Sequence, residues 1–237
     1  MLIIIIGYSM EGLTMKKIAK EVIEELLMIF TGKSLDIIVP PLLFLLLYKV
    51  FDLRIALIGS IILSLGFLVS RIYRKENLYY ALGGFFGVLF AVIMSYINQN
   101  ASNFFLPDII GTSFLVIVTI VTLVIKKPLA AFVSHITRGW NLEWFYRDDV
   151  LPAYKEVTLF WLGFFILRLG VEITLYLNGS VDDLVIANIV LGFPITIAVL
   201  TISYIYGIWR LHNLNGPGVD EFKDNKEPPW RGQTRGF

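Results

Sequence analysis

The chain has no cysteine and only two histidines, His135 and His212, among its 237 residues. The absence of cysteine excludes disulfides, thiol catalysis, iron–sulfur ligation and cysteine zinc sites. Two histidines argue against a histidine-built metal site and leave a haem or redox role without ligands, so we expect no cofactor. Only 16% of the residues are charged, and the net charge of +1 provides no overall attraction to nucleic acid.

Apolar residues, in contrast, are abundant. They make up 57% of the chain, whereas an ordinary soluble domain is about 45–50% apolar. A soluble core of this size cannot hide so much apolar surface, so lipid must be the solvent for much of it. Six apolar stretches approach the roughly 20 residues that a membrane-crossing helix needs. They are residues 35–51, 55–73, 79–97, 109–125, 157–177 and 184–209. The sequence therefore predicts an all-α polytopic membrane protein with a six-helix transmembrane domain over residues 35–210.

Prolines mark the first and last of the predicted spans. Pro40 and Pro41 stand near the start of the first span, which is also the shortest. If any span is broken or re-entrant, we expect that one. Pro194 lies inside the last and longest span and predicts a kink or a tilt there.

The segments that flank the spans differ in composition. Residues 1–14 are expected to be a non-native or disordered extension, with Met15 as an alternative start. Residues 15–33 place apolar side chains at helical spacing and lysine and glutamate on the other face, which predicts an amphipathic interfacial helix. Residues 211–237 are rich in glycine, proline and charge and predict a disordered tail.

The longest connection between spans, residues 126–156, contains a second amphipathic pattern. Four apolar residues recur there as on one face of a short helix, which indicates an element at the membrane interface. They are Leu129, Phe132, Val133 and Ile136.

The basic residues are distributed unequally between the two sides of the predicted membrane domain. With the N-terminus inside, 17 of the 20 lysines and arginines fall on the inner side. Only Lys49 and Arg54 fall on the outer side, and Arg168 lies within a span. Because inner loops carry the excess of lysine and arginine, both termini are predicted to be cytosolic.

The most informative polar residues are Arg168, near the middle of the fifth span, and Glu172 four residues later. An isolated arginine at that depth costs from about 2.5 to well over 10 kcal/mol, so it must face the bundle interior and be paired. Asn188 in the sixth span completes this network if it packs beside Glu172. Two interpretations stay open: a pair that fixes the fifth span against its neighbours, or a polar site that binds an anionic group or relays protons.

Small residues predict close helix packing in two spans. Gly83, Gly84 and Gly87 form a GxxxG pattern in the third span, and Ser60 and Ser64 continue a small-residue stripe in the second. Small residues let the backbones of membrane helices approach closely. These stripes indicate packing within one protomer, with a homodimer interface as the alternative.

Short sequence matches extend from Pro40 to Arg210. Among them are Asp52-Leu53-Arg54, Lys127-Pro128-Leu129, Trp161-Leu162-Gly163-Phe164-Phe165, Leu167-Arg168-Leu169 and Leu191-Gly192-Phe193-Pro194. As an ordered set they resemble an uncharacterised integral-membrane family common in actinobacteria, known only as a domain of unknown function.

A more distant resemblance rests on three segments: residues 42–56, residues 126–129 and residues 161–165. They are similar to the intracellular septation protein A family, whose members are inner-membrane proteins associated with division and envelope synthesis. Neither resemblance supplies catalytic residues.

Taken with the absence of catalytic groups, the resemblance favours a non-enzymatic, cell-envelope or division-associated protein integral to the cytoplasmic (inner) membrane. Such a protein would act through contacts with membrane lipids and with envelope or division proteins. The alternative is a small transporter or channel whose polar site contains Arg168 and Glu172.

Overall fold

Every predicted span is helical in a computed structural model of the chain, which describes residues 35–75, 78–233 and 236–237. The helices are α1 (Leu35–Val50), α2 (Leu53–Tyr73), α3 (Leu78–Asn98), a 3₁₀ helix (Ala101–Phe105), α4 (Leu106–Val124), α5 (Leu129–Arg138), α6 (Leu142–Phe145), α7 (Leu151–Leu177), α8 (Val181–Asn213) and α9 (Val219–Lys223). No strand occurs among these residues, and the all-α fold class is confirmed for them. The segments 1–14 and 15–33 lie outside the described residues.

Local signals in the sequence set where several helices begin. Asp52 caps α2, because its carboxylate accepts a hydrogen bond from the Ile55 backbone N–H at 2.9 Å. Asn100 does the same for the 3₁₀ helix through the N–H of Ser102. Pro107 and Pro152 stand in the first turns of α4 and α7, where a missing backbone N–H costs nothing.

Four helical segments are long and apolar enough to cross a membrane. They are Leu53–Tyr73, Ala101–Val124, Leu151–Leu177 and Val181–Asn213. Two shorter apolar stretches, Val39–Val50 and Leu82–Asn98, belong to α1 and α3. The chain thus has the helices of a membrane protein with four candidate spans, while the count of six and the orientation stay predictions.

The six long helices are arranged as a ring. Helices α1, α2 and α3 pack in chain order, α3 contacts α4, α4 packs on α7, α7 on α8, and α8 returns to α1. We call one end of this ring the Asn178 end, where α7 turns into α8 and the 3₁₀ helix lies. The opposite end, which carries α5, α6 and the residues after α8, is the tail end.

Buried hydrophobic side chains gather in two clusters, one at each end of the ring. The cluster at the Asn178 end includes Phe44 stacked on Phe104, with ring centroids 4.0 Å apart. The cluster at the tail end is built around Trp144 and Tyr154. All buried hydrophobic residues of the described chain belong to one cluster or the other, and the buried residues between the clusters are polar. Among them are Ser60, Ser64, Thr112, Thr119, Glu172, Asn188 and Ser203.

Neither of the proline-containing helices is interrupted. Helix α1 continues through Pro40 and Pro41, so the break that these prolines favour in this span is absent from the described residues. Helix α8 runs for 33 residues through Pro194. The hydroxyl of Thr196 donates to the Leu191 carbonyl at 3.2 Å, which supplies a hydrogen bond in the turn that the proline disturbs.

The chain after α8 is ordered, so the prediction of a disordered tail at residues 211–237 is wrong for its described part. The indole N–H of Trp144 donates to the Pro217 carbonyl at 2.9 Å. Phe237 is only 7% exposed, and its ring stacks on Tyr154 at 4.2 Å. These contacts join residues far apart in the sequence, and composition alone does not reveal them.

A single carboxylate organises the loop around α9. Glu221 accepts hydrogen bonds from the backbone N–H groups of Gly218, Arg231 and Gly232 at 2.9, 2.8 and 3.1 Å. Burial acts to raise the pKa of Glu221, but the three donors together hold it below its ordinary value. The ionised form of this residue therefore stabilises the folded tail.

Helix α5 packs its small residues inward and leaves its apolar face open. Ala130 and Ala131 are 1% and 0% exposed and lie against α7. Val133 and Ile136 are 39% and 79% exposed. An outward apolar face on a short helix suits the predicted interfacial position, which stays a prediction.

Candidate intramembrane polar site

Arg168 and Glu172 lie on the face of α7 that is directed toward the other helices. The opposite face carries Ile166 and Leu167, which are 52% and 59% exposed. The Arg168 Nε atom donates to Glu172 Oε1 at 2.7 Å, and the two side chains are 19% and 5% exposed. The pair that the four-residue spacing predicted is formed and is turned away from the outer surface of the bundle.

The second carboxylate oxygen of Glu172 has no hydrogen-bond partner. Oε2 is buried, and no described side chain or backbone group donates to it. A buried carboxylate oxygen without a donor is unfavourable, because it has lost water without gaining a replacement. Glu172 can therefore accept one further donor or positive charge.

A second acid, Asp108 in the first turn of α4, joins the pair. Its carboxylate Oδ2 accepts a hydrogen bond from Asn188 Nδ2 at 2.7 Å. Asp108 lies near enough to the pair to be attracted by Arg168 and repelled by Glu172, but among the described residues the ion pair of Arg168 is with Glu172. Asn188 thus contacts Asp108, whereas the sequence placed it in the network if it packs beside Glu172. With both acids ionised, these four residues carry a formal charge of −1.

We call Asp108, Arg168, Glu172 and Asn188 the polar site. With a rise of about 1.5 Å per residue, Arg168 lies roughly 14 Å and Glu172 roughly 8 Å from the end of α7 at Leu177. Asp108 lies at the surface of the bundle, although the surrounding protein still desolvates its carboxylate, whereas Glu172 is only 4% exposed. The polar site therefore extends from a carboxylate at the bundle surface near the Asn178 end to a buried one deeper in the bundle.

Asp108 was not predicted as a site residue because it stands at the edge of a predicted span, where acids are common. The predicted topology nevertheless indicates that it lies near the fifth span. Helices α4 and α7 run in opposite directions in the predicted topology, so the start of α4 and the end of α7 lie at the same depth. Packing of α4 against α7 then brings Asp108 to the level of Glu172.

Further polar contacts continue from the polar site in both directions along the bundle. Toward the Asn178 end, the Tyr176 hydroxyl donates to Asn103 Oδ1 at 2.6 Å. Toward the tail end, the indole N–H of Trp161 donates to Ser203 Oγ at 3.0 Å. Beyond that contact, Glu156 accepts hydrogen bonds from both Tyr206 and Arg210.

Helix α4 contributes a polar face of its own. Its buried residues are Thr112, Thr119 and Thr122. Together with Asp108 they recur at spacings of three, four and seven residues, which places them on one face of the helix. Threonine side chains thus extend from the polar site along α4 toward the tail end.

The two predicted small-residue stripes have different surroundings. Ser60 and Ser64 are buried, and their hydroxyls donate to backbone carbonyls one turn earlier. Gly83, Gly84 and Gly87 contact no neighbour closely, since a Cβ added at any of them would meet no atom within 4 Å. Close packing within one protomer is therefore not seen for these glycines among the described residues.

A metal centre built from the usual ligands is not apparent in the described parts of the chain. No group of three or more histidine, cysteine, aspartate or glutamate side chains is positioned there to hold a metal ion. Because the polar site contains only two acids, an ion bound there would have few protein ligands.

A family model described as "Protein of unknown function (DUF3159)" matches residues 33–210. The chain belongs to this family. The match includes the whole polar site and agrees with the predicted resemblance to an uncharacterised family over Pro40–Arg210. Searches of curated proteins and of solved structures gave no match. The actinobacterial distribution and the septation resemblance stay predictions.

Proposed function

We propose that this protein is a small carrier or channel of the cytoplasmic membrane, and that the polar site binds the ion it handles. One observation carries this proposal. The buried carboxylate of Glu172 has an oxygen without a hydrogen-bond partner among the described residues.

A purely structural role accounts less well for this arrangement. In an ion pair that only fixes one helix against another, each charge is expected to have an opposite charge beside it and each buried oxygen a hydrogen-bond donor. Buried polar groups without such partners are costly at low dielectric. Here Glu172 Oε2 stays unsatisfied, and the Asp108 carboxylate is hydrogen-bonded to the neutral Asn188 and not paired with Arg168. Ionisable residues kept inside a membrane despite their cost commonly belong to ion or proton pathways.

The surroundings of the polar site support a route through the bundle. The described helices form a ring, and the buried residues between its two hydrophobic clusters are polar. Thr112 and Thr119 on α4 and Ser203 on α8 extend the polar surface toward the tail end. With the tail end cytosolic, as the distribution of basic residues predicts, Asp108 faces the outer side.

Reconstitution of the full chain in liposomes tests the proposal. Separate liposome preparations contain a dye sensitive to protons, to sodium or to potassium, and a gradient of the ion under test drives the flux. Glu172→Gln and Asp108→Asn should each reduce the ion flux by about tenfold or more, equivalent to about 1.4 kcal/mol or more in the transport barrier. Glu143→Gln, which removes the same charge at an exposed position of the tail end, should retain the flux. A flux equal to that of protein-free liposomes, or one that Glu172→Gln leaves unchanged, would refute the carrier.

A second proposed role is that of a non-enzymatic cell-envelope or division-associated protein. It is supported by the ordered tail, which presents exposed charged residues such as Lys223 and Asp224 beside the predicted membrane surface. Envelope or division proteins, membrane lipids or a second copy of the chain are the partners we propose for it. Affinity purification from native membranes should recover division or wall-synthesis proteins, and a clean preparation without any would argue against this role.

A further inference from the structure

We propose that helix α5 and the two lysines before it form a binding site for anionic phospholipids in the membrane leaflet at the tail end. The apolar face of α5 lies among the acyl chains, and Lys126 and Lys127 contact the phosphate groups. This inference goes beyond the predicted interfacial position of α5, because it names the class of lipid and the side chains that select it. It does not depend on the ion that the polar site binds.

The position of the two lysines follows from the candidate span that precedes them. Only a short turn separates Val124, the last residue of that span, from Leu129, the first residue of α5. Val124 and Ile125 are 75% and 53% exposed, so apolar surface continues to the end of α4. The backbone N–H groups of Lys126 and Lys127 then donate to carbonyls of the last turn at 3.1 and 2.9 Å. Where α4 crosses the bilayer, both lysines therefore stand at the level of the headgroups.

Helix α5 has one face fixed to the bundle and another that the described residues leave open. The backbone N–H of Ala130 donates to the Thr158 hydroxyl of α7 at 3.1 Å, and Ala131 is fully buried. Val133 and Ile136, three residues apart on a different face, are 39% and 79% exposed. This face is apolar and begins directly after the two lysines. It has the composition of a helix that lies in the interface of an anionic membrane.

The charges around α5 have a single sign. Lys126, Lys127 and Arg138 are the only charged residues in the segment 109–142. Both lysines are exposed, and in the described part of the chain neither ammonium group has an acidic partner or a hydrogen bond. The Lys127 ammonium lies 5.8 Å from the centre of the Tyr146 ring. An anionic headgroup supplies the negative charge that the protein does not place beside these lysines.

The backbone of Lys126 gives a second reason to assign its side chain a role. Its φ is 57°, in the left-handed region that favours glycine at the end of a helix. Gly139, after the last residue of α5, has a φ of 70° and shows the usual choice. A lysine at the end of α4 is also attracted by the helix dipole. The dipole alone, however, gives no preference between one phospholipid and another, and this difference can be measured.

A single fluorophore on α5 tests the proposal, because the chain has no cysteine of its own. Ile136→Cys is labelled with bimane, and the full chain is reconstituted in vesicles of equal parts phosphatidylcholine and phosphatidylglycerol. Bromine atoms, which quench the label on contact, are carried by the acyl chains of one lipid or of the other. Both lipids should quench, and phosphatidylglycerol should show an association constant about threefold or more above that of phosphatidylcholine.

Three variants serve as comparisons. Lys126→Gln/Lys127→Gln should remove the preference for phosphatidylglycerol and retain quenching by phosphatidylcholine. Lys49→Gln/Arg54→Gln removes the same charge at exposed positions near the Asn178 end and should keep the preference. A label at Leu177→Cys, which is 76% exposed at the Asn178 end, should be quenched about equally by the two lipids.

Each other outcome counts against the lipid site. Equal quenching of the α5 label by the two lipids, or a preference that Lys126→Gln/Lys127→Gln retains, would overturn it. Absence of quenching by either lipid would place α5 outside the bilayer and overturn it as well. A lysine variant that loses thermal stability but keeps the preference would assign the lysines to the helix dipole alone. A lipid preference without any ion flux would refute the carrier and leave the lipid site standing.

Discussion

Replacement of Arg168 by leucine should be among the most damaging single changes in the membrane domain. The Arg168 Nε atom contacts Glu172 Oε1 at 2.7 Å, and the Glu172 side chain is only 5% exposed. The other oxygen of Glu172 has no partner to begin with. Arg168→Leu therefore leaves a buried carboxylate without a cation. Removal of one partner of a buried pair costs about 3–5 kcal/mol, and we expect a loss of unfolding free energy in this range.

The double variant Arg168→Leu/Glu172→Leu separates the charge from the packing. Replacement of both partners of a buried ion pair by apolar residues is often neutral or stabilising. We therefore expect the double variant to be more stable than Arg168→Leu by about 2 kcal/mol or more. Unfolding of the wild type, both single variants and the double variant is followed in detergent, with Leu167→Ala as an exposed control. A loss below about 1 kcal/mol for Arg168→Leu, or a double variant no more stable than it, would refute the reasoning.

Two further predictions concern the tail end. Gly207→Ala should loosen the tail, because the added Cβ would overlap the ring of Phe237. The control Gly163→Ala meets no atom within 4 Å and should stabilise its helix by up to about 1 kcal/mol. Limited proteolysis should cleave the chain after α8 faster in Gly207→Ala than in Gly163→Ala, and an unchanged cleavage rate for Gly207→Ala would contradict the docked position of Phe237. The pKa of Glu221 is lower in the folded chain than its ordinary value of 4.5. Ionised Glu221 therefore stabilises the folded tail fully above pH 4.5, and this stabilisation is lost as the pH falls through the lowered pKa. Amide-exchange protection of Gly232 should fall with it in acid, and Glu221→Gln should remove this dependence; protection that persists in acid would count against the carboxylate cap.

The six long helices were predictable from the sequence because each is a long apolar run. The predicted spans 157–177 and 184–209 appear as α7 and α8. Helix α7 begins six residues earlier and ends at the predicted residue, whereas α8 is longer by three residues at its start and by four at its end. Arg168 and Glu172 were found because their four-residue spacing places them together on any helix. Such local regularities need no knowledge of the tertiary packing.

Contacts between distant segments were not predictable in the same way. Asp108 looked like an ordinary boundary acid, and only the packing of α4 on α7 brings it near the polar residues of α7. The GxxxG glycines indicated close packing, but a pattern in one helix does not say which face its neighbours cover. The tail has the composition of a disordered segment, yet Phe237 and Pro217 are held by α7 and by Trp144.

A carrier or channel requires that water and ions reach the polar site, and the exposed end of this route should be the Asn178 end. Because the chain has no cysteine, single introduced cysteines can test this route. Thr112, one turn from Asp108 on the same face of α4, is replaced by cysteine and exposed to a membrane-impermeant cationic thiosulfonate. The exposed Asn178→Cys is the reactive control, and Ala131→Cys, at a fully buried position of the tail-end cluster, is the unreactive one. We predict that Thr112→Cys is modified from the Asn178 end and that Asp108→Asn slows the reaction. A Thr112→Cys variant as unreactive as Ala131→Cys, while Asn178→Cys reacts, would show that Arg168 and Glu172 form a closed structural pair.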